Sequence, residues 1–324
     1  MNTPTKPLAL RVIELACRAP SVHNSQPWLW RVVDAATIEL RADHRRQLSV
    51  SDPSGRNLAV SCGAALHHAT VAAQALGLTP AVELVASTDD RNLLVRLRLS
   101  PGVPTDKANT ALQALEERCT DRRRFTSWPI PDVRLAHLAT AASGWGAHAM
   151  PITDVTDRFR AEQLLNRAMT VQAADPRFAA EHREWTDHSR TDGMPLANAA
   201  PAAHGRPPTR PNRFAPEQET AAVVSPIESS DGLIAICTAS DDPLSWLQAG
   251  EALSALWLEA THEGLSVVPL SQVIEVEETR QALHHDIFDD MARPQILVRV
   301  GWLESTRPTL DRTPRRPIDD VIER

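Results

Sequence analysis

The chain has no tyrosine, and aromatic residues of any kind make up 4% of its 324 positions. Lysine is nearly missing as well: Lys6 and Lys107 are the two instances, so arginine supplies almost all the positive charge. With many alanines and prolines, that ratio reflects genome composition rather than function. No stretch of about 18 apolar residues occurs, which argues against a membrane-spanning helix. The amino terminus, "MNTPTKPLAL", lacks the apolar segment of a secretion signal. The four cysteines, Cys17, Cys62, Cys119 and Cys237, lie far apart without C-x-x-C spacing, so neither a zinc ribbon nor a disulfide framework is expected. The expectation is a cytoplasmic protein in a reducing compartment, off the membrane.

Well-known signatures are missing too. There is no G-x-G-x-x-G after a strand, no G-x-x-x-x-G-K-[ST], no H-E-x-x-H and no G-x-S-x-G, which removes most of the weight from dinucleotide-fold, P-loop, zincin and serine-hydrolase readings. The net charge of -7 and the lack of a long basic run give no nucleic-acid footprint. The pairs His67-His68 and His284-His285 are adjacent, so along a helix they diverge by about 100° and do not share a metal in the i, i+4 manner. Structural or surface roles, and no metal, are expected of them.

What is present is enough for a core: 42% of residues are hydrophobic, in a length that suits one large domain or two of about 150 residues. Apolar spacing predicts a helix from Leu8 that Pro20 stops. "WLWRVV" and "TIELRA" alternate like hairpin strands, and "NLAVSCGAALHHATVAAQALGL" reads as a long helix with Gly77 at its carboxyl cap. "AVELVA" and "LLVRLRL" read as two more strands, and "SPGVPTD" at 100–106 as a boundary. Beyond it come the helices "KANTALQALEERC" and "PIPDVRLAHLATAA", the strand "GLIAICTA", the helix "PLSWLQAGEALSALWLEATHEGL" and the strand "QILVRVGW".

Two of these helices match without gaps. "CGAALHHATVAAQALGL" (62–78) lies over "AGEALSALWLEATHEGL" (249–265), with Gly63 on Gly250 and Gly77-Leu78 on Gly264-Leu265. Either two Ala/Leu helices agree by composition, or the chain contains a duplication; the shared glycine followed by a hydrophobic segment favours the second.

Three polar stretches stand out. "RAPSVHNSQPW" offers a hydroxyl, an amide and backbone N–H groups at a broken helix end, suited to a planar heterocycle edged with C=O and N–H. "ERCTDRRRF" places Arg118, Thr120 and Arg122 at alternate positions, where they face one way and suit a terminal phosphate, each charge-assisted bond contributing about 1.5–3 kcal/mol. "RTPRRPIDDVI" adds Arg315 and Arg316. Alone, each also reads as a capped helix end, a solvated arginine turn or a polar tail.

Taken together, "APSVHNSQPW", "RCTDRRRF" with the following "PIP", "AGEALSALWLEATHEGLSVVPL", "PQILVRVGW" and "RTPRRPIDDV" resemble the FMN-dependent nitroreductase family, and within it the tandem Acg-like branch. The resemblance covers nearly the whole chain, and R-A-P-S-x-H-N-x-Q-P-W is its most specific part. It implies an α+β nitroreductase-like fold whose two fused halves, 1–105 and 106–324, form an intrachain pseudo-dimer. It also implies FMN as cofactor, NAD(P)H as reductant and an unidentified small-molecule electron acceptor. By the resemblance, Pro20, Ser21, Val22 and Asn24 border the flavin ring and ribityl chain, with Gln26 orienting the turn. Arg118, Thr120 and Arg122 hold the phosphate with Arg315 and Arg316 assisting, and Pro269, Leu270 and Ser271 match the segment near the reactive ring nitrogen. No acid or base side chain is required for hydride transfer.

The half-two counterpart of the opening strip, "ATAASGWGAHAMPITD", lacks its Asn, Gln and Trp, so one FMN per chain is expected. Trp28 and Trp30 are expected to pack rather than stack on flavin. The family's P-I-E-G is "PLSQ" at 269–272, and residues 175–219, with Trp185, "DGMP" and a proline-rich run, are longer than a connection needs. A lid over the flavin is expected there. Two functions stay open: an NAD(P)H-dependent oxidoreductase, and an FMN storage or sequestration protein with little or no reductase activity. A flavin-free scaffold is a third class. The chain is expected as a monomer or homodimer.

Overall fold

The structure is a computed structural model that describes residues 7–85, 90–186, 188–195, 227–303 and 312–323. Its first part runs α1 (Leu8–Ala16), β1 (Trp28–Asp34), β2 (Thr37–Ala42), α2 (Arg56–Ala75), β3 (Leu78–Leu84) and β4 (Leu93–Pro101). Next come α3 (Asp106–Glu117), α4 (Asp132–Ala142), β5 (His148–Pro151), α5 (Val155–Ala174), α6 (Pro176–Trp185) and β6 (Gly232–Thr238). The order closes with α7 (Pro243–His262), β7 (Leu265–Leu270), α8 (Gln272–Glu275), α9 (Glu277–Asp286), β8 (Arg293–Trp302) and α10 (Ile318–Val321). Compared with the sequence reading, β3 begins three residues earlier, and the helix quoted from "PIP" begins at Asp132, with Pro131 as its cap.

The strands form two four-stranded sheets, ordered β1-β2-β4-β3 and β5-β6-β8-β7. Every neighbouring pair is antiparallel, so the two orders are the same pattern written twice. The fold is α+β with the fused pseudo-dimer arrangement, and its centre lies where α2 packs on α7. There the reason for the matched glycines becomes visible. A Cβ on Gly63 would collide with the Leu247 carbonyl, and a Cβ on Gly250 would collide with the Val60 carbonyl. Each glycine thus meets the residue three positions before the other, as a local two-fold axis between the helices requires. Gly77 and Gly264 end these helices with φ of +77° and +75°, left-handed values that glycine adopts without a Cβ penalty.

The two sheets are covered differently. One apolar cluster joins α1, Trp28, Trp30, Ile38, Leu40 and the α2 stripe to one face of the first sheet. Trp28 and Trp30 are fully buried, as expected of packing residues. On the outer face of that sheet, Arg31, Glu39, Arg96 and Glu83 stand opposite one another across all four strands. Glu39 accepts from Arg31 at 2.6 Å and from Arg96 at 2.9 Å, so an exposed face is held by a row of alternating charge. The second sheet is apolar on both faces. One side packs on α4 and α7, the other on α5, α8 and α9, and every residue of β6 is buried.

The histidine pairs are structural. His67 Nδ1 meets Ser254 Oγ at 2.8 Å between α2 and α7, and burial pushes its pKa down to about 3, so it is neutral. His284 and His285 close on the two oxygens of Asp290, at 2.7 and 2.9 Å. They converge because the chain turns back after α9 through the left-handed Asp289 and Asp290 and presents both carboxylate oxygens. No described helix is long and apolar enough to cross a membrane.

Candidate functional site

α1 ends at Ala16 with Cys17 as its cap, ahead of Pro20, and the chain then enters a strip of uncommon backbone geometry. Val22–Asn24 form a 3-10 turn, and His23, Asn24 and Gln26 have φ of 48°, 55° and 49°. Such conformations cost about 1–3 kcal/mol each unless the surroundings hold them. Here they do: the polar side chains of the strip are what hold it. Ser21 Oγ accepts from the Gln26 N–H at 2.9 Å, and Ser61 Oγ in α2 accepts from the Val22 N–H at 3.2 Å. Asn24 Nδ2 donates to the carbonyls of Gly193 and Pro314 at 3.0 and 3.1 Å, while its Oδ1 accepts from Arg315 at 3.0 Å. Gln26 Nε2 donates to the Thr191 carbonyl at 2.9 Å, and its Oε1 accepts from the Arg316 N–H at 2.9 Å. The amides of Asn24 and Gln26 are thus the points at which two distant segments are tied down.

One of those segments is α6 with residues 188–195, referred to below as the strap. Glu181 in α6 accepts from the backbone N–H groups of Val50 and Ser51 at 2.8 and 2.9 Å. Arg46 pairs with Asp192 and lies over the Trp185 ring at 5.3 Å. Gly193 and Asn24 exchange backbone and side-chain bonds. The rest of the expected lid, residues 196–219, lies outside the described residues. The other segment is the tail, 312–323, which buries Val321 in the first core, bridges Ile322 to Trp30 and pairs Glu323 with Arg41 at 2.6 Å.

Strip, strap, tail and the turn after α3 enclose a cavity of about 380 Å³, within the range of small-molecule sites. Of the residues singled out in the sequence, Pro20, Ser21, Asn24, Arg118, Thr120, Arg122, Arg315 and Arg316 line it. Val22 and Gln26 lie behind the lining. Pro269, Leu270 and Ser271 do not line it either: the first two pair with Val298 and Leu297 in the second sheet, and the Ser271 carbonyl starts α8. The turn "RCTDR" follows its spacing in part, since Cys119 lines the cavity as well. Arg118, Thr120 and Arg122 face the cavity, while Asp121 is buried against Arg123 at 2.6 Å.

Sequence reading missed Arg18, Arg312, Cys17 and Met194 as lining residues. Arg18 and Arg312 lie inside the quoted runs and were discoverable there; Met194 comes from a segment with no period to read. The lining holds six arginines against Glu14 and Glu116, in a chain whose net charge is -7. Arg118 lies over the Trp257 ring at 4.6 Å and donates to the Arg18 carbonyl at 3.1 Å. Its Nε, and that of Arg315, are buried without a hydrogen-bond partner among the described residues. Burial first, then the neighbouring guanidiniums, pushes the pKa of Arg118 down to about 9 and that of Arg315 to about 10, so both stay charged at neutral pH. Burial pushes the Cys17 thiol up to about 12, which leaves it inert as a nucleophile.

No protein-family model matches the chain. Individual relatives do. The chain is 35% identical over 329 residues to a Mycobacterium tuberculosis protein provisionally named NAD(P)H nitroreductase Rv3131, a match spanning 100% of this chain and 94% of that one. The chain belongs to the nitroreductase family. A second relative from the same organism, provisionally named NAD(P)H nitroreductase acg, is 33% identical over 314 residues, 96% of this chain and 93% of its own length. Among solved structures, a nitroreductase with bound FMN from Bacteroides fragilis aligns at 14% identity with a TM-score of 0.41, over 63% of this chain and 94% of that chain. That likeness is too low to transfer a residue assignment. For this nitroreductase-family chain, the placement of groups around the cavity therefore rests on its own geometry.

Proposed function

We propose that the cavity binds FMN by its phosphate and that the chain is an NAD(P)H-dependent flavin oxidoreductase. The observation that carries this reading is the pair of buried, unpartnered guanidinium Nε atoms, Arg118 and Arg315, at an arginine-lined cavity. A buried donor without a partner costs about 1–3 kcal/mol, and a phosphate oxygen satisfies it. The donor set fits the group. Arg118, Thr120 and Arg122 would hold the phosphate with Arg315 and Arg316, while Pro20 and Ser21 border the remainder. Asn24 would border it as well, while Val22 and Gln26 would act from behind by fixing the strip. Pro269, Leu270 and Ser271 are assigned to the ring end by family resemblance alone. Bound FMN would supply the hydride acceptor and donor; the protein's own part is to fix its position, keep positive charge at the phosphate and exclude water.

One FMN per chain is the stoichiometry we assign, with the halves meeting at 105/106. In support, the second half's counterpart of the strip brings Trp145 edge-on against His67 at 4.5 Å and sets Gly146 against Gln248, so that position is packed by protein. A second reading, FMN sequestration with little turnover, draws on the strap, whose bonds to Asn24, Gln26, Arg46 and Ser51 close one side of the site.

Anaerobic addition of NADPH or NADH to the flavin-loaded chain, followed near 450 nm (about the usual flavin band), tests the pair. Rapid bleaching is the expected result. Flavin that bleaches with a small chemical reductant but ignores both nicotinamides would replace reduction with sequestration. A chain that takes up no FMN would overturn both.

A further inference from the structure

The number and pairing of the cavity arginines go beyond what one flavin phosphate explains. Arg118, Arg315, Arg18 and Arg312 all line the cavity, and none forms an ion pair with a described carboxylate. The two lining acids do not compensate them: Glu14 pairs with Arg11 at 3.4 Å, and Glu116 is exposed and makes no ion pair. The four guanidiniums lie in one another's field. Arg118 is lowered by Arg315 and Arg312, and Arg315 by Arg18 and Arg312, in both cases after the larger effect of burial.

They also divide by position. Arg118 and Arg315 are the inner pair, with buried Nε atoms and several bonds to backbone carbonyls. Arg18 is half-buried and Arg312 exposed, and neither guanidinium has a partner among the described residues. A phosphate monoester carries about -1.5 to -2 at neutral pH, enough to neutralise the inner pair and leave the outer pair uncompensated. Two cations lining one cavity, neither paired with a described carboxylate, suit a second anion.

We infer that Arg18 and Arg312 form an outer station for a second phosphate group, separate from the one that holds the flavin phosphate. The inference rests on the flavin reading above for what fills the inner station. A second phosphate has two chemical sources: the 2′-phosphate of NADPH, on a second molecule, or the additional phosphate of a dinucleotide flavin, on the same one. Both place a dianionic or diester oxygen between two guanidinium forks, which bind it through charge-assisted N–H···O bonds.

The test uses the full chain and two matched ligand pairs in calorimetric titration. For the first source, the FMN-loaded chain is titrated with 2′,5′-ADP and with 5′-AMP. For the second, the flavin-free chain is titrated with FAD and with FMN. The expected result is that one pair differs by about tenfold or more in favour of the extra phosphate, the effect of roughly one charge-assisted bond. Arg312→Ala and Arg18→Ala should each abolish that difference, and Arg312→Lys should retain part of it.

A difference confined to the first pair assigns the station to the phosphorylated nicotinamide donor, and one confined to the second pair to a dinucleotide flavin. Equal affinities within both pairs overturn the inference. So does a difference that survives both alanine variants, or a loss of FMN affinity in Arg312→Ala comparable to the loss in Arg118→Ala, which would place Arg312 at the inner site. If wild-type chain binds no FMN, the flavin reading falls, while 2′,5′-ADP against 5′-AMP on that same chain still reads the station.

Discussion

The strip at 18–26 and its counterpart within 139–154 each follow a helix and lead into a strand, and they have taken different courses. In the first half, Val22 reaches Ser61 on α2, and the strip turns its polar groups toward the cavity, strap and tail. In the second half, Gly146 meets Gln248, the residue of α7 that corresponds to Ser61, and Trp145 fills the space against His67. On the proposed reading, the scaffold was kept in both halves and the binding surface in one. Duplication of a fold therefore does not imply duplication of a site; the site depends on a few polar side chains with partners to hold.

The comparison breaks most severely at its axis. Gly63→Ala and Gly250→Ala each insert a methyl against a helix carbonyl that cannot yield. Either should destabilise the chain by about 3 kcal/mol, the upper range for overpacking, in urea unfolding. A loss well under about 1 kcal/mol would remove the close helix contact from the account.

A second asymmetry sits beside that axis. Glu251 in α7 stands where α2 has Ala64, and burial pushes its carboxyl from an ordinary 4.5 up to about 8. An acid whose folded pKa lies above its unfolded one binds its proton more tightly in the fold. Stability is then lost as pH rises from about 4.5 to about 8 and is flat above. Glu251→Gln should be more stable at pH 8 by about 3 kcal/mol and lose that slope; parallel pH profiles for the two proteins would contradict it.

Sharper for the site is Arg118→Ala, which removes a buried cation from one half's side of the cavity. FMN retention should fall by about 1.5–3 kcal/mol, and Arg122→Ala should behave similarly. Equilibrium dialysis reads the loss, and unchanged retention would move the phosphate elsewhere. The smallest expected effect is at the strap. Asp192→Ala removes the carboxylate partner of Arg46 and should speed bleaching by NADPH about fivefold, the size of roughly 1 kcal/mol from one ion pair. An unchanged rate in stopped flow would show that the strap does not gate access.

Much of this was legible in the sequence, for identifiable reasons. The glycine match at 63 and 250 was readable because a close helix crossing tolerates no side chain on either partner. The lining positions Arg118, Thr120 and Arg122 were readable because extended backbone has a period of two, whereas Cys119, which joins them in the lining, was not. Less was gained from 155–174. Its buried residues Ala161, Leu165, Ala168 and Gln172 do recur at helical spacing, but weakly polar neighbours hide the stripe, and α5 was not anticipated. The partners of Asn24 and Gln26 were beyond reach altogether. They lie 165 to 291 positions away, and no local pattern records a bond formed only when strap and tail return to the strip.

The central claim is that one cavity, built from both halves, holds one flavin by its phosphate. The most direct measurement is the molar ratio of FMN to chain after saturation and removal of free flavin, taken for the wild type and for Arg118→Ala. The account predicts one FMN per chain in the wild type and a marked loss in the variant. Two FMN per chain, or one that Arg118→Ala leaves untouched, would contradict it.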